Sequence, residues 1–144
     1  MVKKWISGWI ICLLSVTLMS CASKTLTLKF TADPVINSDV LLPVDVIVTP
    51  DPVMKKVLNI GPEDWFGHRS RDILIGDELF PMAISGGTER IKEIPMDENI
   101  SKIIIYADYE ETINREDQQL IINCSDKKKK YEILIRENHL EMKK

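Results

Sequence analysis

From Trp5 to Met19 the chain is apolar apart from Ser7, Gly8, Ser15 and Thr17, and then its period changes. From Thr25 to Thr31, Leu26, Leu28 and Phe30 alternate with Thr25, Thr27, Lys29 and Thr31. A period of two over this length predicts a half-buried β-strand. Pro43 to Thr49 repeats the pattern, with Val44, Val46 and Val48 on one face. Between these strands, Asp33 to Leu42 has the Pro34, Asn37 and Asp39 of a loop. It also holds Val35, Ile36, Val40, Leu41 and Leu42, a heavy aliphatic load for a connection.

Pro50-Asp51-Pro52 ends the second strand. Asp51 can cap a short helix with Pro52 at its first position, because an N-terminal turn needs an acceptor and has no use for the proline N–H. Gly61-Pro62 closes that helix, and Pro62-Glu63-Asp64 opens another whose acidic first turn suits the helix dipole. Trp65, Phe66, Arg69 and Ile73 follow at roughly helical spacing, although Gly67 weakens the segment.

The rest predicts strands and turns. Strands are expected over Glu78–Ile84, Glu89–Ile94, Lys102–Tyr109, Gln118–Cys124 and Tyr131–Arg136. Ser85-Gly86-Gly87 is a turn, Pro95 to Ser101 a polar connection, and Ser125 to Lys130 a solvated hairpin tip with four consecutive lysines. Lys102–Tyr109 begins apolar on both faces, as a central strand does. The expected architecture is an all-β sandwich of about seven strands, with a small helical insert at about 51–75. Strands that do not alternate regularly with helices argue against an α/β fold.

The apolar run at the start is too short and too interrupted for an ordinary spanning helix of about 20 residues. With Lys3 and Lys4 before it, it has the form of a signal peptide. Leu18-Met19-Ser20-Cys21 resembles a bacterial lipobox. In lipoproteins of that kind the cysteine thiol is diacylated, the leader is cut before it, and the new amino group is acylated. We therefore expect a leader over 1–20, a lipidated tether over 21–24 with Cys21 as the lipidation site, and one domain over 25–144. Acyl chains contribute about 0.8 kcal/mol per buried methylene, so two or three hold a protein firmly. Ala22-Ser23 lacks the Asp that retains enterobacterial lipoproteins at the inner membrane, which points to the outer membrane.

Cleavage leaves 124 residues (144 − 20), enough for a single core. Losing Lys3 and Lys4 moves the formal charge from −3 to −5 (−3 − 2). An acidic body argues against nucleic acid or anionic lipid as the main partner. Cys12 leaves with the leader and Cys21 is taken by lipid. Cys124 then has no disulfide partner and reads as a small buried side chain in a strand.

No catalytic constellation emerges. His68 and His139 are isolated and read as surface residues; there is no HxxxH, CxxC, GxSxG or P-loop. Glu110-Glu111 reads as an exposed strand end rather than an acid–base pair. Trp65-Phe66 has two readings, core packing and, less favoured, a partner anchor. The aliphatics of loop 33–42 either fold back onto the sandwich or project as a docking surface. The Lys127–Lys130 run is a soluble tip or a contact for acidic lipid or an acidic partner.

Several segments in order resemble the TssJ-type outer-membrane lipoprotein of type VI secretion systems. They are the lipobox followed by TLTLKFTAD, then INSDVLLPVDVIV with its asparagine loop and proline-led strand. Next come an insert with Trp65-Phe66 and Asp72-Ile73-Leu74, the stretch SGGTERIKEIPMDENISKIIIYADYEE with Ala107 and Tyr109, and a closing YEILIRENHLEM. The chain departs from the pattern at Thr49-Pro50-Asp51-Pro52, where a Tyr-x-Leu segment is usual, and at Asn114–Asp117, near which a tryptophan is usual. It is identified as a divergent member.

The resemblance implies a transthyretin-like β-sandwich and a non-enzymatic protein without cofactor or metal. It implies attachment to the outer membrane facing the periplasm, and binding to the periplasmic C-terminal region of a TssM-like inner-membrane protein, with a TssL-like protein in the same complex. It also places partner contact in the loop between the first two strands, here Val35, Ile36, Asn37, Val40 and Leu41. The competing expectation is a periplasm-facing lipoprotein that binds a small ligand, or assists a transporter, with Trp65, Phe66 and Tyr109 lining an apolar pocket. An envelope hydrolase is the weakest reading, because no base–nucleophile pair is present.

Overall fold

The computed structural model describes residues 24–67, 69–74, 78–112, 114–125 and 128–144. The leader, Cys21, His68 and Lys127 lie outside the described residues.

Strand β1 (Lys24–Ala32) buries Leu26, Leu28, Phe30 and Ala32 and turns its threonines and Lys29 to the other face. It pairs antiparallel with β4 (Glu89–Met96) on one side and parallel with β7 (Lys130–Ile135) on the other; β7 pairs antiparallel with β8 (Leu140–Met142). The second sheet is wholly antiparallel, in the order β3 (Leu79–Ile84), β2 (Leu42–Val48), β5 (Lys102–Ala107), β6 (Gln119–Asn123).

The inner faces of the two sheets close on one core. Leu28, Phe30, Val44, Val46, Ile84, Ile94, Ile103, Ile105, Ile133 and Ile135 are fully buried there. β2 and β5 sit mid-sheet and are covered on both sides, which is why Lys102–Ala107 reads apolar on both faces. Their outer residues Ile47, Ile104 and Tyr106 meet Met54, Val57 and Trp65 from the helical insert in a second, smaller core.

That insert is α1 (Asp51–Gly67), followed by a 3-10 turn over Arg69–Ile73. α1 is broken at Gly61, where φ is +77°. Glycine alone reaches that backbone region freely, and Pro62 restarts the helix with no N–H to satisfy. Gly61 lies against the Arg115 guanidinium, where a Cβ would collide, and Arg115 donates to the Leu58 carbonyl at 3.1 Å.

The two-sheet, all-β architecture with a helical insert is the one expected from the sequence. The addition is β8, read from the sequence as a short tail. Three residues are too few to show a period. Pairing of Ile135 with Leu140, and a turn in which the Arg136 N–H donates to the His139 carbonyl (2.9 Å), bring it onto the sheet.

The candidate docking loop

The segment from Asp33 to Leu41 joins the two sheets at the end of the sandwich where β1 finishes. Its entry is tied down by backbone hydrogen bonds. The Asp33 N–H donates to the Ile135 carbonyl (2.9 Å), the Asn37 N–H to the Glu137 carbonyl (2.8 Å), and the Gly87 N–H to the Asp33 carbonyl (2.8 Å). The Arg136 guanidinium pairs with Asp33 at 3.1 Å and with Glu141 at 3.0 Å.

At the tip, Asn37, Ser38 and Asp39 all have positive φ, at 47°, 54° and 60°. Left-handed backbone costs an L-residue roughly 1–2 kcal/mol, less for Asn and Asp, and three in succession persist only where surrounding contacts impose them. Those contacts are present. Ile36 inserts into the inter-sheet core, and the Asn37 side-chain oxygen accepts the Glu110 N–H at 2.7 Å. Tyr109, next to Glu110, is buried and donates its hydroxyl to the His139 carbonyl at 2.9 Å. Burial pushes its phenol well above the usual tyrosine range, so it remains a donor.

The turn divides the five loop residues named above. Val35, Val40 and Leu41 are 48%, 45% and 55% exposed. Ile36 and Asn37 are buried, at 1% and 3%, and offer no surface to a partner. Ile36 and Asn37 build the loop from within, and the three exposed aliphatics form its apolar tip beside exposed Ser38 and Asp39.

The Ser85–Thr88 turn braces the other side. Gly87 has φ +71°, and the Thr88 hydroxyl donates to the Ser85 carbonyl at 2.7 Å. A Cβ on Gly86 would strike the Pro34 carbonyl, so glycine is required there for close approach. Gly86→Val is expected to displace Pro34 and the loop entry and to cost about 1–3 kcal/mol through overpacking. The check is amide hydrogen exchange: faster exchange at Asn37 and Glu110 is expected, with protection of β2 and β5 retained.

The other candidates resolve into structural roles. Trp65 is fully buried, tilted against Tyr106 with ring centroids 5.8 Å apart, and donates its indole N–H to Asp45 at 2.8 Å. Arg71 reaches the same Asp45 oxygen at 2.7 Å and lies over the Phe66 ring at 5.2 Å. Asp45 is 1% exposed, and its other oxygen has no hydrogen-bond partner. Sequence reading passed over this carboxylate, whose signal was an acidic residue inside a valine-rich strand. The Tyr106 hydroxyl donates to the Val57 carbonyl at 3.0 Å, and burial pushes its pKa up to about 12, opposed by Arg115. Trp65 and Phe66 belong to the helix-side core and Tyr109 to the inter-sheet core, so the three do not line one pocket.

Cys124 is half-buried, and burial raises its thiol pKa, which disfavours the reactive thiolate. His139 has Nδ1 3.0 Å from the Asn138 side-chain oxygen, and Glu110 and Glu111 are exposed. Among the described residues no three His, Cys, Asp or Glu side chains are grouped to hold a metal ion, and no helix is long and apolar enough to cross a membrane.

At the level of sequence, no family model and no curated protein matches this chain. Solved structures do. A chain of a type VI membrane complex superposes with a TM-score of 0.67 at 15% identity, over 84% of this chain and 98% of that one. A chain from a structure described as the type VI secretion protein TssM C-terminal domain (869–1107) from EAEC gives 0.64 at 14% identity, over 84% and 98%. The type VI secretion lipoprotein TssJ1 of Pseudomonas aeruginosa gives 0.62 at 14% identity, over 84% and 95%. The protein thus has the fold of the TssJ-type lipoproteins, a two-sheet sandwich with a helical insert. At such low identity the likeness is one of fold, reached with a largely different set of side chains.

Proposed function

We propose that this chain is the membrane-anchored lipoprotein of a type VI secretion membrane complex, a structural rather than catalytic component. Acyl groups on Cys21 hold it to the outer membrane, facing the periplasm. The apolar tip formed by Val35, Val40 and Leu41 binds the periplasmic C-terminal region of a TssM-like inner-membrane protein, which carries a TssL-like protein in the same assembly.

One observation carries this reading: a sandwich with the TssJ fold projects three exposed aliphatics from a strained, internally braced β1–β2 loop. Exposed apolar residues on a rigid loop suit partner binding, because little conformational entropy is lost on association.

Recovery from detergent-solubilised envelopes tests the proposal. The acylated protein should bring down a large inner-membrane protein with a periplasmic C-terminal domain, identified by mass spectrometry. Cys21→Ser should fold normally, lose its membrane attachment and abolish secretion. Recovery of the lipoprotein alone, under conditions that preserve other envelope complexes, would overturn the assembly role. A Cys21→Ser protein that still supports secretion would remove the anchoring role.

A further inference from the structure

The strand directions gather lysines at the end of the sandwich opposite the docking loop. β1 starts there with Lys24, and the parallel β7 starts there with Lys130, in register with Thr27. The Thr27 N–H donates to the Lys129 carbonyl at 2.8 Å, which holds Lys129 beside the first half of β1. β8 runs back towards the same end and delivers Lys143 and Lys144, the Lys143 N–H donating to the Glu132 carbonyl at 3.0 Å. Lys128, Lys130, Lys143 and Lys144 line an open cleft of about 280 Å³ with Tyr131, Glu132 and Met142.

Of these cations, Lys143 pairs with Glu132 at 2.6 Å. Among the described residues Lys128, Lys129, Lys130 and Lys144 form no ion pair. Among the carboxylates of this sheet, Glu132 is in register with Lys29, and Glu93 lies opposite Thr27 on β4, the edge strand across β1 from β7 and β8.

Lys24 is three positions from Cys21. An extended chain spans at most about 3.6 Å per residue, so the two Cα atoms are within ~11 Å. An acyl group on Cys21 therefore holds this lysine-rich end at the bilayer surface. β1 has nine residues, which at about 3.3 Å each set the docking loop roughly 30 Å away.

We propose that Lys128, Lys129, Lys130, Lys143 and Lys144 bind anionic phospholipid headgroups and hold the sandwich upright, with loop 33–41 directed away from the membrane. The proposal rests on lipidation at Cys21. It places anionic lipid in an orienting role, beside the acyl anchor, for a body whose net charge is acidic. Free phosphate shares the headgroup chemistry, and vesicles distinguish the two.

Every described element falls within residues 24–144, so a chain of Ala22–Lys144 contains both cores and serves as the test protein. It is mixed with vesicles of phosphatidylcholine, alone or with one third phosphatidylglycerol, and bound protein is measured after flotation. Binding is expected only with phosphatidylglycerol, is expected to weaken as salt rises, and should not be displaced by millimolar inorganic phosphate. A lysine near an anionic surface contributes about fivefold, so replacing all five by glutamine is expected to weaken binding on the order of 100-fold or more. Lys55→Gln with Lys56→Gln, on the exposed face of α1, should leave it unchanged. Equal binding to neutral and anionic vesicles overturns the proposal, and so does an equal loss in the α1 variant. Displacement by phosphate would reassign the cleft to a soluble anion. The test protein lacks Cys21, so failure here leaves acylation untouched, and that is read separately from the mass of the mature protein.

Discussion

Introducing aspartate at both Val35 and Leu41 is expected to abolish binding to the proposed partner, the periplasmic C-terminal region of a TssM-like protein, while leaving the domain folded. Both side chains are about half exposed in the free protein, so the substitution disturbs little of the core. Changes at such surface positions usually move stability by within about 0.5 kcal/mol. In a complex the same positions would lie at the centre of the contact. Losing two aliphatic anchors costs roughly 1–2 kcal/mol each, and desolvating two carboxylates adds more. The sum, about 4 kcal/mol or more, is roughly a thousandfold in affinity. Calorimetric titration of wild type and variant against the purified partner region, with thermal melts of each, checks this. Unchanged affinity would exclude the loop tip from the interface. Ile36→Asp would not serve, because Ile36 is a core residue and the variant would fail by unfolding.

Trp65→Ala should produce the largest loss of stability among the substitutions considered. Truncating a fully buried tryptophan costs about 3–5 kcal/mol. Here it also deprives Asp45 of one of its two hydrogen-bond donors, inside a site whose second carboxylate oxygen already lacks a partner. Domains of this size have about 5–15 kcal/mol in total, so the midpoint of thermal unfolding should fall by at least ~10 °C. Asp45→Asn separates the contributions. It keeps an acceptor for the indole N–H and loses only the ionic part of the Arg71 contact, which is partly solvated at the arginine. A loss of about 1–2 kcal/mol is expected for it. If Trp65→Ala lowered stability by less than 1 kcal/mol, the helical insert would be an appendage, and the second core would contribute nothing to the sandwich.

The main strands were legible because their inter-sheet faces carry an aliphatic at every second position, whether the other face is open, as in β1, or covered by the helical insert, as in β2. Leu26, Leu28 and Phe30 show this in β1, and Val44, Val46 and Val48 in β2. The helical insert was legible from Asp51-Pro52 at its start and Gly61-Pro62 at its break, since those residues have few other uses. β8 was not, because three residues carry no period. Asp45 was not singled out, because its role comes from Trp65 and Arg71, 20 and 26 residues away in sequence.

The candidate site divides in the same way. Excess aliphatics in a Pro- and Asn-containing connection mark 33–42 as unusual from the sequence alone, and they do so through composition. Composition does not say which aliphatics face outward. That is decided by three left-handed residues and by a hydrogen bond from Glu110 to Asn37, 73 positions apart, which bury Ile36 and Asn37 and expose Val35, Val40 and Leu41. The lysines follow the same rule. Their number is written in the chain, but only the parallel pairing of β1 with β7 and the return of β8 bring them to the end that follows Cys21. Local periodicity reports local burial. Which distant residues share a surface depends on strand order and direction, and those follow from the packing of the whole chain.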